Sequence, residues 1–526
     1  MRKFSRVSSI CFPQISSLLT LDDILDKYIG KFGKFQKLLT LYILLFVAPL
    51  IGFNTTTHFL ILLEPPHLCT KQNKSSSLFN FTDGSKNSSL KYNGSELLSL
   101  KQDYSSKRDF NYDIIYPTVV SENDWVCENS WKAKIAHVVY RAGSFCGMLI
   151  IGILSDTYGR VPTTIFCFSI AGIAGLSTIV SAHNYALFLI CRAFMGFVSF
   201  KGTVPMVLAT EYVGSNKRSL ISNGLLLMIG VTNISLPWIA YFLRDWRILT
   251  VMTSAAMFIV PMITLLIPES ARWLLSRGDF KNGKKSLRHV ARINGVSLSD
   301  DILNNLKSDD KTVCSVLKIF KYSRFLRFYS ITTLMWILCA MISYGGNLFA
   351  AVLSSHPFLL LSINSAIDVI ASITSKWVAD HYGRKKTVCF SCFFTLISYT
   401  LIAFVPQESI FFIVILLIGR FWITITYNVK FLYAAEICPT IVRSRAVSTR
   451  LALGAIGSAA SAAIVSIDLI GKSTPLIIFG TASGFNIILM LLLPETLNQP
   501  LPETLEDANN FGLLAENKIF KEEPNC

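Results

Sequence analysis

Four charged side chains, Lys201, Asp368, Arg420 and Lys430, fall inside stretches otherwise apolar enough to cross a bilayer. A charge placed there costs about 2.5–3.5 kcal/mol on insertion scales, so it is retained for pairing or for a ligand. Asp368 has Asn364 four residues before it and Ser372 four after, and Ser375 continues the row. At helical spacing these make one polar stripe, turned toward protein or water rather than lipid. Asp368 can hold a cationic group there, or be neutralised by a Lys or Arg of the next helix. Tyr427 and Lys430 share a helix face at i, i+3. Lys430, and Lys201 in the same way, can hold a carboxylate or neutralise Asp368. Trp336 and Trp422 are weaker aromatic candidates.

A second group of charges is written twice. Gly152-Ile-Leu-Ser-Asp156-Thr-Tyr-Gly159-Arg160 recurs as Lys376-Trp-Val-Ala-Asp380-His-Tyr-Gly383-Arg384, at an offset of 224 residues. At nearly the same offset Arg192 matches Arg420, Glu211 with Arg218 matches Glu436 with Arg443, and Pro268-Glu269-Ser270 matches Pro494-Glu495-Thr496. The doubled arginines read first as structural. The doubling itself implies two halves built alike, which in a membrane protein places a transport site between them.

The elements that must position these residues are long apolar helices. The chain has 52% hydrophobic and 16% charged residues, against about 25% charged in an average soluble domain; its mean hydropathy is +0.49. A span needs about 20 apolar residues. Twelve windows qualify, at 38–63, 133–155, 161–182, 186–209, 219–242, 246–267, 328–352, 356–379, 386–405, 409–434, 445–470 and 474–493. The fold class is therefore all-α, with twelve transmembrane helices in two six-helix halves. Small residues at helical spacing, Gly143 and Gly147 in span two and Gly454, Ser458 and Ala462 in span eleven, mark faces where helices approach closely and slide.

Lys and Arg gather on one side of the spans, in residues 1–37, in the short loops carrying Arg160, Arg218, Arg384 and Arg443, and in the stretch after span six. By the positive-inside rule that side is the cytosol. The net charge of +16 is thus a topology signal, and its dispersal between apolar spans argues against nucleic-acid binding. The expected organisation is a cytosolic segment 1–37, an N-terminal half 38–267 with an extracellular loop 64–132, a cytosolic linker 268–327, a C-terminal half 328–493 and a cytosolic tail 494–526. The extracellular loop carries four Asn-x-Ser/Thr triplets, at Asn73, Asn80, Asn87 and Asn93, suited to glycosylation. It also carries Cys69 and Cys127, which a disulfide is permitted to join on that face.

Further stretches narrow the class: Asn123-Asp-Trp-Val-Cys127 with Trp131-Lys132, Glu211-Tyr-Val-Gly214, Pro268-Glu-Ser-Ala-Arg-Trp-Leu-Leu-Ser-Arg-Gly278, and Leu493-Pro-Glu-Thr-Leu-Asn-Gln-Pro-Leu-Pro-Glu-Thr-Leu-Glu-Asp507. With the doubled loop motif they resemble the major facilitator superfamily, and within it the organic cation, anion and carnitine transporters. The pattern departs at Lys376, where the motif usually opens with Gly, and at Thr157 and His381, where an Arg is usual. The resemblance implies alternating access at the plasma membrane, with Asp156, Arg160, Glu211, Arg218, Asp380, Arg384, Glu436 and Arg443 locking the two halves together on the cytosolic side while the site faces outward. It also implies an aromatic near the site at Tyr344, able to hold an organic ammonium group by cation–π attraction, and an acid at the place of Asp368. Basic residues that accompany anion preference are absent, since Ser372 and Ala455 occupy those positions; an acid that accompanies cation preference is absent from Ala455 too. The expected substrate is an organic cation or a zwitterionic, carnitine-like amine, with an organic anion as the alternative.

Other classes fit less well. The one Gly-Lys-Ser, at 471–473, lacks the first Gly of a phosphate-binding loop. No Cys, His or Ser cluster has catalytic spacing, so no enzyme, cofactor or metal is expected. A non-transporting, receptor-like member of the fold is the remaining alternative. The expected partners are a small organic ion and the lipid bilayer; coupling ion and oligomeric state are open.

Overall fold

The computed structural model describes residues 21–30, 32–65, 112, 115–299, 302–303, 322–353, 357–406, 409–439, 442–465, 474–497, 499, 502 and 505–511. Asn73, Asn80, Asn87, Asn93 and Cys69 lie outside the described residues. Cys127 is disulfide-bonded.

Among the described residues, eleven helices are long and apolar enough to cross a membrane. Span one is Lys34–Leu60, span two Trp131–Tyr158, span three Arg160–Ser181, span five Ser215–Leu243 and span six Trp246–Thr264. Span seven is Ser323–Leu353, span eight Pro357–Tyr382, span nine Arg384–Leu401, span ten Ile410–Ile437, span eleven Arg443–Ile464 and span twelve Thr474–Leu491. Span four is broken. It runs Tyr185–Phe197, opens into a turn over Val198 to Gly202, and resumes at Thr203–Tyr212. The apolar window 186–209 passed straight over this break.

Side chains start several spans. Asn184 accepts from the backbone N–H of Ala186 and Leu187 to begin span four, Asp245 from Arg247 and Ile248 to begin span six, and Ser409 from Phe411 to begin span ten. Each satisfies donors that the first helical turn leaves orphaned.

In lipid, apolar burial supplies little force between helices, so packing depends on close approach. A Cβ added at Gly143 would lie 2.2 Å from the Ala193 carbonyl oxygen, one at Gly147 1.8 Å from that of Phe197, and one at Gly196 1.9 Å from that of Tyr140. Spans two and four therefore meet backbone to backbone. Gly454 and Gly457 likewise seat against Trp336 and Ile337 of span seven. The small-residue faces expected to slide are tight seams inside each half.

The halves meet along spans two and eleven and along spans five and eight. On the side of the long loop they are closed. Phe358 packs its ring on Tyr116 and Tyr241, each at 5.7 Å between centroids, and the Ser362 hydroxyl donates to the Ile234 carbonyl at 2.8 Å. On the opposite, basic side lie two short helices of the linker, Ala271–Ser276 and Phe280–Asn294. The first is tied to the end of span two, where Trp273 Nε1 and Arg277 Nη2 donate to the Asp156 carbonyl at 2.8 and 2.7 Å.

Candidate functional site

Between the halves, in the loop-side third of spans one, two and seven, aromatic and basic side chains converge. Span one brings His58 and Phe59, span two His137, Tyr140 and Arg141, and span seven Tyr344. The His58 ring stacks on Tyr140 at 3.9 Å, and its Nε2 lies 3.0 Å from His137 Nδ1. That same Nδ1 lies 3.2 Å from the Tyr344 hydroxyl, which joins one half to the other. Phe59 packs against Tyr344 at 5.2 Å. The Arg141 guanidinium lies over the Tyr344 ring, 3.7 Å from its centroid. Such stacking suits a planar cation. Further along the same face of span seven, Trp336 packs against Tyr427 at 4.5 Å.

Asp368 is already paired. Arg420 Nε and Nη2 reach its two oxygens at 2.9 and 2.5 Å, and the Thr424 hydroxyl donates at 2.6 Å. Arg420 is further held by the Ser343 carbonyl at 2.7 Å. The fork matches the carboxylate atom for atom, the strong geometry for this pair. Asp368 keeps 33% of its side chain exposed while Arg420 keeps 7%, so one edge of the carboxylate still faces open space. Of the two readings that its sequence position allowed, neutralisation by an arginine of a neighbouring helix is the one observed.

The two lysines lie elsewhere. Lys430 donates to Asn486 Oδ1 of span twelve at 2.7 Å and reaches the Met335 carbonyl of span seven at 3.4 Å. It does not neutralise Asp368. Lys201 sits in the break of span four, fully buried over the Phe168 ring inside the N-terminal half. Its ammonium has no hydrogen-bond partner, and it does not reach the space between the halves. Reading by sequence missed Arg141, His58 and His137. The rule that singled out Lys201 and Lys430, a charge within a span, applies equally to Arg141.

The doubled charges form two matching clusters at the basic side. Arg160 Nη2 pairs with Glu211 at 3.1 Å and Arg384 Nη2 with Glu436 at 3.0 Å. Asp156 and Asp380 each join through an i, i+4 pair with the same arginine. Glu269 accepts from the backbone N–H of Arg160 and Val161 at 2.9 and 3.0 Å, and Glu495 from Arg384 and Lys385 at the same distances. The repeated Pro-Glu pairs thus cap the N-termini of spans three and nine, where a negative charge is favoured. Gly159 and Gly383 have φ of 106° and 91°, and a Cβ there would lie 2.4 and 2.8 Å from the capping carboxylates.

Every one of these pairs lies within a single half. The expected lock belongs to the state in which the site faces outward; here the loop side is the closed side, and each cluster holds within its own half. Arg218 instead ties down the end of span four, donating through Nε to the carbonyls of Thr210 and Val213 at 3.1 and 3.2 Å. The Arg443 side chain is outside those described.

Two six-span halves, related by a repeated charge cluster and enclosing an aromatic and basic centre, define a transporter of the major facilitator type. The chain belongs to the sugar (and other) transporter family, whose pattern matches residues 99–507. It is 27% identical to organic anion transporter 3 of Oryctolagus cuniculus over 96% of both chains. It is 26% identical to organic cation/carnitine transporter 2 of Homo sapiens, over 76% of this chain and 73% of that one. Among solved structures, the inward-open conformation of the xylose transporter XylE from E. coli superposes with a TM-score of 0.59. It shares 15% identity, over 89% of this chain and 99% of that one.

Proposed function

We propose that the protein carries a small organic ion across the plasma membrane by alternating access, with the substrate held between the halves and both termini in the cytosol. The observation that supports this most is the cross-half centre around His137, Tyr344 and Arg141, roofed by the Phe358 contacts on the loop side. A substrate entering from the basic side meets that centre and is stopped by the roof. The charge clusters at Arg160 and Arg384 govern the conformational cycle, gripping within each half here and exchanging partners when the basic side closes.

The preferred substrate is an organic cation or a zwitterionic amine. Its ammonium group is held by the face of Tyr427 and by the exposed edge of Asp368. An organic anion is the second reading. It is favoured by the neutralisation of Asp368 by Arg420 and by Arg141, a guanidinium set against Tyr344 where the halves meet.

Uptake of labelled cations, anions and zwitterions into expressing cells, with membrane potential clamped at two values, tests both readings. A net cation moving alone gains about 2.3 kcal/mol per 100 mV, which supports roughly 50-fold accumulation, since about 1.4 kcal/mol is tenfold. A zwitterion moving alone responds to neither setting. Uptake no greater than in control cells for every probe removes the transport reading. Glycosidase digestion of the surface protein tests the orientation, through a loss of apparent mass at Asn73, Asn80, Asn87 or Asn93.

A further inference from the structure

We infer that Arg141 anchors the carboxylate group of the substrate, making the N-terminal half the side that reads negative charge. The inference rests on the transport reading above and adds to it the chemistry at one end of the substrate.

The basic residues inside the spans are not alike. Arg420 has its carboxylate in Asp368. Lys430 has the carbonyl oxygens of Asn486 and Met335. Arg192 is 2% exposed, bonded to the Thr178 hydroxyl and set against the Phe188 ring. Arg450 is 2% exposed, over Tyr329, and Lys201 is sealed over Phe168. Each of these is paired, or enclosed where no solute arrives.

Arg141 differs on three counts. It is half-buried rather than enclosed. It lies where the halves meet, against Tyr344 of the opposite half. Among the described residues no carboxylate pairs with it, and its Nε is buried without an acceptor. A guanidinium at membrane depth without an anion is costly, and such groups pair or serve a ligand. Stacking on Tyr344 offsets part of that cost, worth about 0.5–2 kcal/mol, and fixes the plane of the fork. A planar fork accepts a carboxylate through two parallel N–H···O bonds. The neighbouring groups support this polarity. His58 and His137 present ring nitrogens, Tyr140 a hydroxyl, and none of them is acidic.

The anion also has a mechanical role. Arg141 belongs to span two and its stacking partner to span seven, so a carboxylate drawn to the fork sits on the seam that opens and closes. Binding there stabilises whichever state leaves the fork reachable, and release follows when the seam tightens.

The test uses the full chain in cells, with surface labelling as the control for folding. Three probes span the charge types: L-carnitine, which carries ammonium and carboxylate; choline, which carries the ammonium alone; and benzoate, which carries the carboxylate alone. In Arg141→Gln, uptake of carboxylate-bearing probes falls at least tenfold with surface level unchanged, and any choline uptake falls less than twofold. Arg141→Lys, which keeps the charge but loses the fork, retains an intermediate rate. Unchanged uptake of carboxylated probes in Arg141→Gln overturns the inference, and so does a parent protein that carries choline alone; in both cases transport itself stands. If no probe enters above control, the transport reading fails for these solutes. Melting of the purified protein then decides the site. Stabilisation by millimolar L-carnitine or benzoate that Arg141→Gln abolishes supports the carboxylate anchor, and stabilisation that is absent, or equal in both proteins, overturns it.

Discussion

The hydroxyl of Tyr344 lies 3.2 Å from Nδ1 of His137, and the two residues belong to opposite halves of the molecule. Inside the spans, this polar contact joins parts that must separate for transport. A neutral hydrogen bond of this kind contributes about 0.5–1.5 kcal/mol, enough to bias the state that is closed on the loop side without locking it.

Tyr344→Phe removes that bond and keeps the ring under Arg141. The equilibrium should shift toward the state open on the loop side by roughly 2–10-fold. A reporter cysteine at buried Leu361 should then react faster with a membrane-impermeant thiol reagent. Equal labelling with and without the Phe substitution would argue against the contact holding that face shut.

Gly159→Ala and Gly383→Ala should each lower the melting temperature. A backbone at φ 106° and ψ 170° or φ 91° and ψ 157° suits essentially only glycine and costs another residue roughly 1–3 kcal/mol, and the added carbon would press on the Glu269 or Glu495 carboxylate. Gly152→Ala is the control, because nothing lies within 4 Å of its Cβ position. A loss at Gly152 equal to that at Gly159 and Gly383 would refute the cap as the cause.

Glu211→Gln and Glu436→Gln should lower turnover several-fold while changing KM less than twofold, and to similar degrees, because the two carboxylates hold equivalent arginines. Asp156→Asn should be milder than Glu211→Gln, since the Asp156 side chain is 69% exposed and such pairs contribute about 0–1 kcal/mol. A change in which substrate is chosen would contradict a role in the cycle.

Asp368→Asn leaves the buried Arg420 guanidinium uncompensated. Removing one partner of a buried pair costs about 3–5 kcal/mol, so the surface level of that variant should fall. The double variant Asp368→Asn with Arg420→Gln should recover much of it. Additive losses would show that the two side chains are not coupled, and undiminished surface expression of Asp368→Asn alone would show that the pair contributes little.

The spans and the doubling of the loop charges were legible in the sequence because local signals determine them, whereas the partners of those charges, Arg160 with Glu211 and Arg384 with Glu436, meet across 51 and 52 residues. Twenty apolar residues announce a helix, and a repeated Gly-Arg after Asp announces the same turn twice. The partner of Glu269 was not legible. It caps a helix that begins 109 residues earlier, a contact that no periodicity encodes. The same holds for Asp368 and Arg420, which meet across 52 residues. Their positions inside spans were visible, while the choice between ligand and partner depends on how spans eight and ten rotate against each other. Lys201 was misplaced because the apolar window continues through the break at Val198 to Gly202, hiding a turn that aims the side chain into its own half. Arg141 carries the same local signal as the two lysines, a charge inside a span.

The backbone contact of Gly143 and Gly147 with span four makes span two a stiff lever. Arg141 and Asp156 lie on that one helix, fifteen residues apart, so roughly 22 Å separates them. A tilt of roughly 10° about the Arg141 end swings the Asp156 end by roughly 4 Å at that length, more than the breadth of a water molecule. Small rotation at the fulcrum thus becomes a wide doorway at the rim, and the glycines set how closely the arm rides on span four. Replacing them with larger residues would blunt that mechanical gain before it touched any group that meets the substrate.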